Sequence, residues 1–395
     1  MRGISRRKFS RAVVGWAGFG LLGNDASAAG SSSRAPAGED STACGPALSG
    51  ANGSITDVPG IKAGHFTDSR RPTGCTALLF EGEATAGVDY DGSAPGSYLG
   101  VLLQPVSPIE TIHGMLLTGG GPMGLAAVPG AVRYLEERKV GFDWGIRDVR
   151  VPIVVGAVID DLALGDGRIR PDADVAYKAC QAASSGPLEE GNVGVGAGAT
   201  IGKMLVHQGL GGMKSGLGTA SLRAGDVVIA ALVVANAVGD IIDWHTGKIV
   251  AGARRTDGKG FANQVETIKT LARGGQGSSS DFHDPVLHST TLAVVATNVQ
   301  FSKTALTKIA MMASTGAARA INPYHTNGDG DSTFAVSTNR VKSDLGISVV
   351  GALAAELVSE AVLRAVKAAR SVEGWPAYRD IASREFGVGS RESGL

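Results

Sequence analysis

His288-Ser289-Thr290-Thr291-Leu292-Ala293-Val294-Val295 sets hydroxyl side chains where a small-residue run meets an apolar, strand-like segment. The run upstream is Gly274-Gly275-Gln276-Gly277-Ser278-Ser279-Ser280-Asp281, and the apolar segment continues to Val299. A chain cut before one of these hydroxyls acquires an N-terminal nucleophile whose own α-amine can serve as its base. A glycine-rich loop suits such a cut, because the scissile peptide must bend out of plane. The same pattern also fits an ordinary strand start, and composition alone does not separate the two.

Outward from this stretch, strand and helix patterns alternate loosely. Ser302 is a candidate cap for a helix running to Arg319, although no acid three residues on completes a capping box. Phe334 to Ser337 reads as a strand and Gly346 to Arg370 as an alanine-rich helix. Upstream, Ile61 to Phe66, Thr76 to Phe80, Gly114 to Thr118, Val151 to Ile159 and Val227 to Val238 read as strands. Met123 to Arg138 and Ala173 to Ala183 have helical spacing. This predicts one mixed α/β domain of layered sheets and helices.

Composition narrows the function. The 395 residues carry 37 basic and 37 acidic side chains, so no net field attracts nucleic acid or an anionic membrane. Aromatics at 5% also argue against base-stacking platforms. The 58 glycines are about twice the usual share but follow no three-residue period.

The N-terminus reads as an address. Ser5-Arg6-Arg7-Lys8-Phe9-Ser10-Arg11, a short apolar run and Ala26-Ser27-Ala28 resemble a twin-arginine export signal over residues 1–28. The run is too short to span a bilayer. A periplasmic or secreted protein, off the membrane once the signal is removed, is the expectation. Residues 29–53 read as a flexible lead-in to a domain over 54–395. Cys44, Cys75 and Cys180 leave one disulfide open, between Cys75 and Cys180, though both read as small buried residues.

Two motifs suggest ligands and then fail on detail. Gly119-Gly120-Gly121-Pro122-Met123-Gly124 fits a dinucleotide-binding pattern, but no acid follows at the right distance and Pro122 lacks an amide donor. A tight strand-to-helix turn lining a pocket is expected instead. Asn327-Gly328-Asp329-Gly330-Asp331 opens like a calcium loop, but Ser332 and Thr338 stand where glycine and glutamate are needed. No histidines have zinc-site spacing. No metal or cofactor is implied.

Thr290-Thr291 with its strand, Pro323-Tyr324-His325-Thr326, Asp329-Gly330-Asp331 and Thr333-Phe334-Ala335 together resemble the L-aminopeptidase/D-esterase family. That family of self-cleaving hydrolases includes β-peptidyl aminopeptidases and a nylon-oligomer (6-aminohexanoate oligomer) endo-hydrolase. Ile55 to Ile61, Ser93-Ala94-Pro95-Gly96, Gly194 to Lys203, Gly216 to Ser221, Val234 to Gly239 and Gly374 to Asp380 extend the resemblance over Ser54 to Gly387.

The resemblance implies an αββα sandwich like that of N-terminal nucleophile hydrolases. It would be a single domain made of two chains, 29–289 and 290–395, after self-cleavage between Ser289 and Thr290. It implies Thr290 as nucleophile, Asn236 as oxyanion donor and Lys203 as a cation beside the nucleophile. Asp329 and Asp331 would be the pair that holds the threonine. A small peptide or amide substrate and a homo-oligomer, commonly a tetramer, are implied as well.

The chain departs from the family in three places. Ser289 replaces an asparagine and becomes a rival nucleophile. Met123 stands where a tyrosine is usual, and a thioether cannot donate a proton. Ser97-Tyr98-Leu99-Gly100-Val101 carries no charge where aminopeptidases have an acidic stretch suited to a substrate ammonium. The expected reaction is therefore hydrolysis of short peptides or ω-amino-acid oligomers without a gripped N-terminus. Aminopeptidase action on β-peptides or D-amino-acid amides, acyl transfer on the same fold, and a non-catalytic binding role are the alternatives.

Overall fold

A computed structural model describes residues 53–274 and 289–385. The export signal, nearly all of the lead-in, Cys44, and the Gly/Ser run from 275 to His288 lie outside the described residues.

Eight long strands carry the architecture: β1 (Ile61–Thr67), β2 (Gly74–Asp89), β3 (Ile112–Thr118), β4 (Val154–Val158), β5 (Leu217–Ala224), β6 (Val227–Asn236), β7 (Thr290–Val299) and β8 (Ser332–Val341). The helices that cover them are α1 (Val128–Glu136), α2 (Ala173–Gln181), α4 (Lys303–Ala320) and α5 (Ile347–Ala368), while α3 (Gln264–Gly274) lies off the sheets.

β2 belongs to two sheets. Its first half pairs with β1 and β3, and its second half, Thr85 to Asp89, pairs with β8. Between them the register shifts, and Gly82 takes a positive φ of 94° that lets the strand turn from one sheet toward the other. One sheet runs β1-β2-β3-β4 and ends on the two-residue strand Ser97–Tyr98; the other runs β5-β6-β7-β8-β2. Two neighbouring pairs, β3 with β4 and β7 with β8, are parallel. Each is joined by a segment that contains a helix, as a parallel crossover requires.

Strand alternation sorts the core into three layers. Val228, Ala230, Leu232 and Val234 of β6, with Leu292 and Val294 of β7, point between the sheets. The intervening Ile229, Ala231, Val233, Ala293 and Val295 point outward under α4 and α5. On the other sheet Ala77, Leu116 and Val154 lie under α1 and α2. The order is therefore helix, sheet, sheet, helix, which is the expected αββα sandwich. All ten residues of β6 are buried, so it reads as two-sided and apolar rather than alternating.

α4 starts at its Ser302 cap, whose side chain accepts from the Ala305 amide. It packs on α5 so closely that a Cβ at Gly316 would collide with the Ala355 carbonyl.

One expectation shifts, and the open reading of the cysteines is settled. The helix predicted from Met123 begins as a 3-10 turn over Gly121–Ala127 and becomes α1 only at Val128, where Pro129 suits a first turn. Its glycine turn is held by an acid of the chain itself. Asp161, ion-paired with Arg71 at 2.7 Å, accepts the Gly120 amide at 2.9 Å and the Thr73 hydroxyl at 2.6 Å. The open disulfide does not form: Cys75 and Cys180 are free, buried thiols whose pKa values burial pushes up to about 12. Among the described residues no helix is long and apolar enough to cross a membrane.

Candidate active site

Thr290 opens β7 and pairs directly with Asn236, which ends β6. Both share the parity of Val234 and Leu292, so both side chains point into the layer between the sheets. Thr290 is 7% exposed and Asn236 is fully buried. The Thr290 hydroxyl donates to the carbonyl oxygen of Ser289 at 2.7 Å, and the Gly330 amide donates to the same oxygen at 3.0 Å. The carbonyl of the Ser289–Thr290 peptide is thus polarised by a backbone donor while the hydroxyl lies against it.

Lys203 reaches this point because the chain before it folds back on the end of β6. The Gly202 and Lys203 amides donate to the carbonyls of Gly239 and Val238 at 3.0 and 2.8 Å. The Lys203 ammonium then donates to Asn236 Oδ1 at 2.9 Å and to its carbonyl at 3.2 Å. The Thr200 amide adds a bond to Oδ1 at 3.1 Å, and Asn236 Nδ2 donates to the Asp160 carbonyl at 3.0 Å. Donors on the oxygen and an acceptor on the nitrogen fix which way the amide faces. One of its two N–H bonds is left over to meet a developing negative charge.

Burial pushes the Lys203 pKa down to about 7, against the pull of Asp329, Asp160, Asp331 and Asp161. The cation expected from sequence is therefore an amine poised between its two states. Its burial, invisible in the sequence, decides this.

The parallel β7–β8 pair brings in the acids. Asp331, just before β8, accepts the Thr291 amide at 2.6 Å. Asp329 accepts the Thr326 amide and hydroxyl, both at 2.8 Å, through Oδ2. Its Oδ1 is buried without a hydrogen-bond partner. Burial, and then the charge of Asp331, raise Asp329 to about 6. Of the carboxylates that a calcium loop would point at an ion, both oxygens of Asp331 and one of Asp329 are engaged with the protein's own groups. Among the described residues no cluster of ligating side chains could hold a metal ion.

All five residues singled out in the sequence, Thr290, Asn236, Lys203, Asp329 and Asp331, converge on the ends of β6, β7 and β8. Ser289 is buried beside them with its hydroxyl unpartnered. Met123 is exposed and joins none of these bonds.

Several participants went unassigned in the sequence. Gly330 sits so close that a Cβ there would lie 2.8 Å from the Thr290 hydroxyl. His325 bridges Asp331 and Asp91. Asp91, two residues past the end of β2, carried no sequence signal, since its partner lies more than 200 positions away.

Beside Lys203 lies a cavity of about 210 Å³ with apolar walls from Ala163, Leu164, Val206 and Trp375, and with Asp160 and His207 on its lining. The glycine turn backs this cavity rather than lining it: Gly121 packs near Leu162 and Asp160. A buried hydroxyl against a polarised carbonyl, an oriented amide, a lysine near neutrality and a cleft together suit acyl transfer from an amide to an oxygen.

The peptidase family S58 model matches residues 53–378, a span that contains every one of these side chains. The chain belongs to peptidase family S58. An uncharacterized aminopeptidase of Mycobacterium bovis is 37% identical over 361 residues, covering 85% of this chain and 99% of its own. The 6-aminohexanoate-oligomer endohydrolase of a Kocuria strain is 30% identical over 327 residues, covering 79% of this chain and 85% of its own. In three dimensions the chain resembles the L-aminopeptidase D-Ala-esterase/amidase of Ochrobactrum anthropi, an Ntn-hydrolase-fold variant. The TM-score is 0.60 at 21% identity, over 87% and 96% of the two chains. This S58 member is a hydrolase of amide bonds on an Ntn-type αββα fold. A non-catalytic binding role has no support.

Proposed function

We propose that this S58 hydrolase is made as an exported precursor that cuts itself between Ser289 and Thr290 and then uses Thr290 as its nucleophile. The observation that carries this is the buried Thr290 hydroxyl, 2.7 Å from the Ser289 carbonyl oxygen, which also accepts the Gly330 amide. In the precursor, Thr290 Oγ attacks the Ser289 carbonyl carbon and its proton passes to a neighbouring base. The C–N bond breaks, the nitrogen takes up a proton, and water hydrolyses the resulting ester. Thr290 has no free α-amine until that point, so a lysine with a pKa of about 7 is the base at hand for the first step.

In turnover, Thr290 attacks a substrate amide with its new α-amine as base. The acyl group passes to the hydroxyl, the amine leaves, and water releases the acid. Asn236 stabilises the oxyanion, Lys203 supports the charge, and Asp331 and Asp329 hold the strand end and the turn around it. Purified protein should run under denaturing conditions as two chains, the smaller with the intact mass of Thr290–Leu395. A single chain that stays uncut on long incubation would sink the proposal.

For substrate, we propose amides or ω-amino-acid oligomers that need no free N-terminus. The uncharged Ser97 to Val101 segment and the apolar cavity beside Lys203 support this. A peptide nitroanilide compared with its N-acylated form tests it, and strong preference for the free amine would refute it. Twin-arginine export to the periplasm or medium, and a homo-oligomeric assembly, a tetramer by resemblance, belong to the same proposal. The exposed Phe142, Trp144, Ile146 and Val149 around one hairpin supply an apolar surface that assembly could cover.

A further inference from the structure

His325 lies outside the residues to which the proposed mechanism gives a role. It lies between α4 and β8, and its backbone holds a left-handed φ of 56°, a region uncommon outside glycine although histidine enters it more than most. Such a conformation persists only where the surroundings over-determine it. Here they do. Nδ1 lies 3.1 Å from Asp331 Oδ2, Nε2 lies 3.3 Å from Asp91 Oδ2, and the ring packs on Tyr324 with centroids 3.7 Å apart.

Nδ1 is hydrogen-bonded to Asp331, while Nε2 lies within ion-pair distance of Asp91 Oδ2 but out of hydrogen-bond alignment. A neutral ring would leave that buried carboxylate oxygen with no compensating charge, so the geometry calls for a charged ring. The other oxygen of Asp331 holds the Thr291 amide, one residue past Thr290.

We propose that His325 is a positioning residue for the nucleophile: clamped between Asp91 and Asp331, it holds Asp331 against the Thr291 amide and so fixes the start of β7. This rests on Thr290 as nucleophile. The charged neighbours are Asp331 and Asp329 before β8, and Asp89 and Asp91 at the end of β2. Tyr324 stacks on the ring, Lys203 lies beyond Asp329, and Ser314 of α4 reaches Asp89 and Asp91. Burial lowers the His325 pKa, but Asp331 and Asp91 win and carry it up to about 9. The ring is thus a positive charge between Asp331 and Asp91, with Asp89 also within its field.

The test is His325→Gln, read as kcat and KM against pH on a chromogenic amide, with the rate of self-cleavage followed by intact mass. Loss of the positive charge raises the neighbouring carboxyl pKa values. The acid limb of kcat/KM should therefore move up by about one pH unit. At its optimum, kcat should fall about tenfold or more with KM changed less than about threefold. An acid limb that stays where wild type has it, whatever the loss of rate, overturns the proposal.

Should His325→Gln fail to fold, Asp91→Asn removes one of the two partners that keep the ring charged. Its alkaline limb should then move down from about 9, and an unmoved limb overturns the proposal equally. Thr290→Ala separates the two layers of the argument. Activity retained in that variant sinks the nucleophile assignment, whereas an unshifted His325→Gln profile with an inactive Thr290→Ala sinks only the role of His325.

Discussion

Asn236 and Thr290 are cross-strand neighbours, paired residue to residue at the ends of two antiparallel strands whose other residues form the sandwich core. The carboxamide and the hydroxyl therefore sit on the same rigid ladder that stabilises the fold. Loops need not close to bring them together.

Thr290→Ala should abolish both self-cleavage and amide hydrolysis, since among the described residues the Thr290 hydroxyl is the one bonded to the Ser289 carbonyl. Intact mass and a chromogenic amide assay check it. If Ser289 were the nucleophile, this variant would still be cut.

Asn236→Ala should keep the fold and lose more than about 10²–10³ in kcat, the usual cost of removing one oxyanion donor. The same change removes the Oδ1 that holds Lys203, so the loss should exceed that of a donor acting alone. Asn236→Asp, which keeps Oδ1 but cannot donate when ionised, should be at least as slow. Steady-state kinetics on processed enzyme decide between them.

Lys203→Arg keeps a cation but cannot shed its proton near neutrality. If Lys203 takes the proton from Thr290 in the precursor, self-cleavage should slow by about 10²–10⁴-fold. Wild-type cleavage should rise with pH through about 6 to 7, as Asp329 ionises and Lys203 becomes neutral. The rate of appearance of the Thr290–Leu395 chain against pH measures both.

Gly330→Ala would place a Cβ 2.7 Å from the Ala94 carbonyl and 2.8 Å from the Thr290 hydroxyl. Both are closer than real contacts allow, so the hydroxyl must shift. Processing should slow by tenfold or more, given about one decade for each 1.4 kcal/mol of misplacement. Circular dichroism should remain near that of wild type.

Lys214 is fully buried, and its ammonium donates to the carbonyls of Gly196, Ala199 and Ser215 at 3.2, 2.9 and 2.6 Å. It braces the turn that leads to Thr200 and Lys203. Lys214→Met preserves volume but strips those carbonyls of a donor, so about 1–3 kcal/mol of stability should be lost, with activity. The wild type carries a pH signature too. Burial depresses both Lys214 and Lys203 to about 7, below the unfolded value near 10. Between those values the unfolded chain binds more protons, so these two lysines make stability rise with pH from about 7 to 10. Melting temperatures at pH 7 and pH 9 should show that rise, smaller in Lys214→Met.

The sequence by itself determined much of this protein. The two-sided apolar run Val227 to Val238 and the β-branched run Thr291 to Val299 announced strands, and Ser302 announced the start of α4. Ordered motifs from Ile55 to Asp380 gave the family. Thr290, Asn236, Lys203, Asp329 and Asp331 were legible because each lies in a local motif with a recognisable shape. The tertiary structure decided what depends on distance in space rather than along the chain. The division of β2 between two sheets rests on one bend at Gly82. The charge of Lys203 depends on what buries it. Asp91 matters only because β2 ends opposite His325, and Gly330 matters because β8 starts beside β7. Local pattern encodes which face of a segment is apolar; burial, field and pairing are properties of neighbours that only folding supplies.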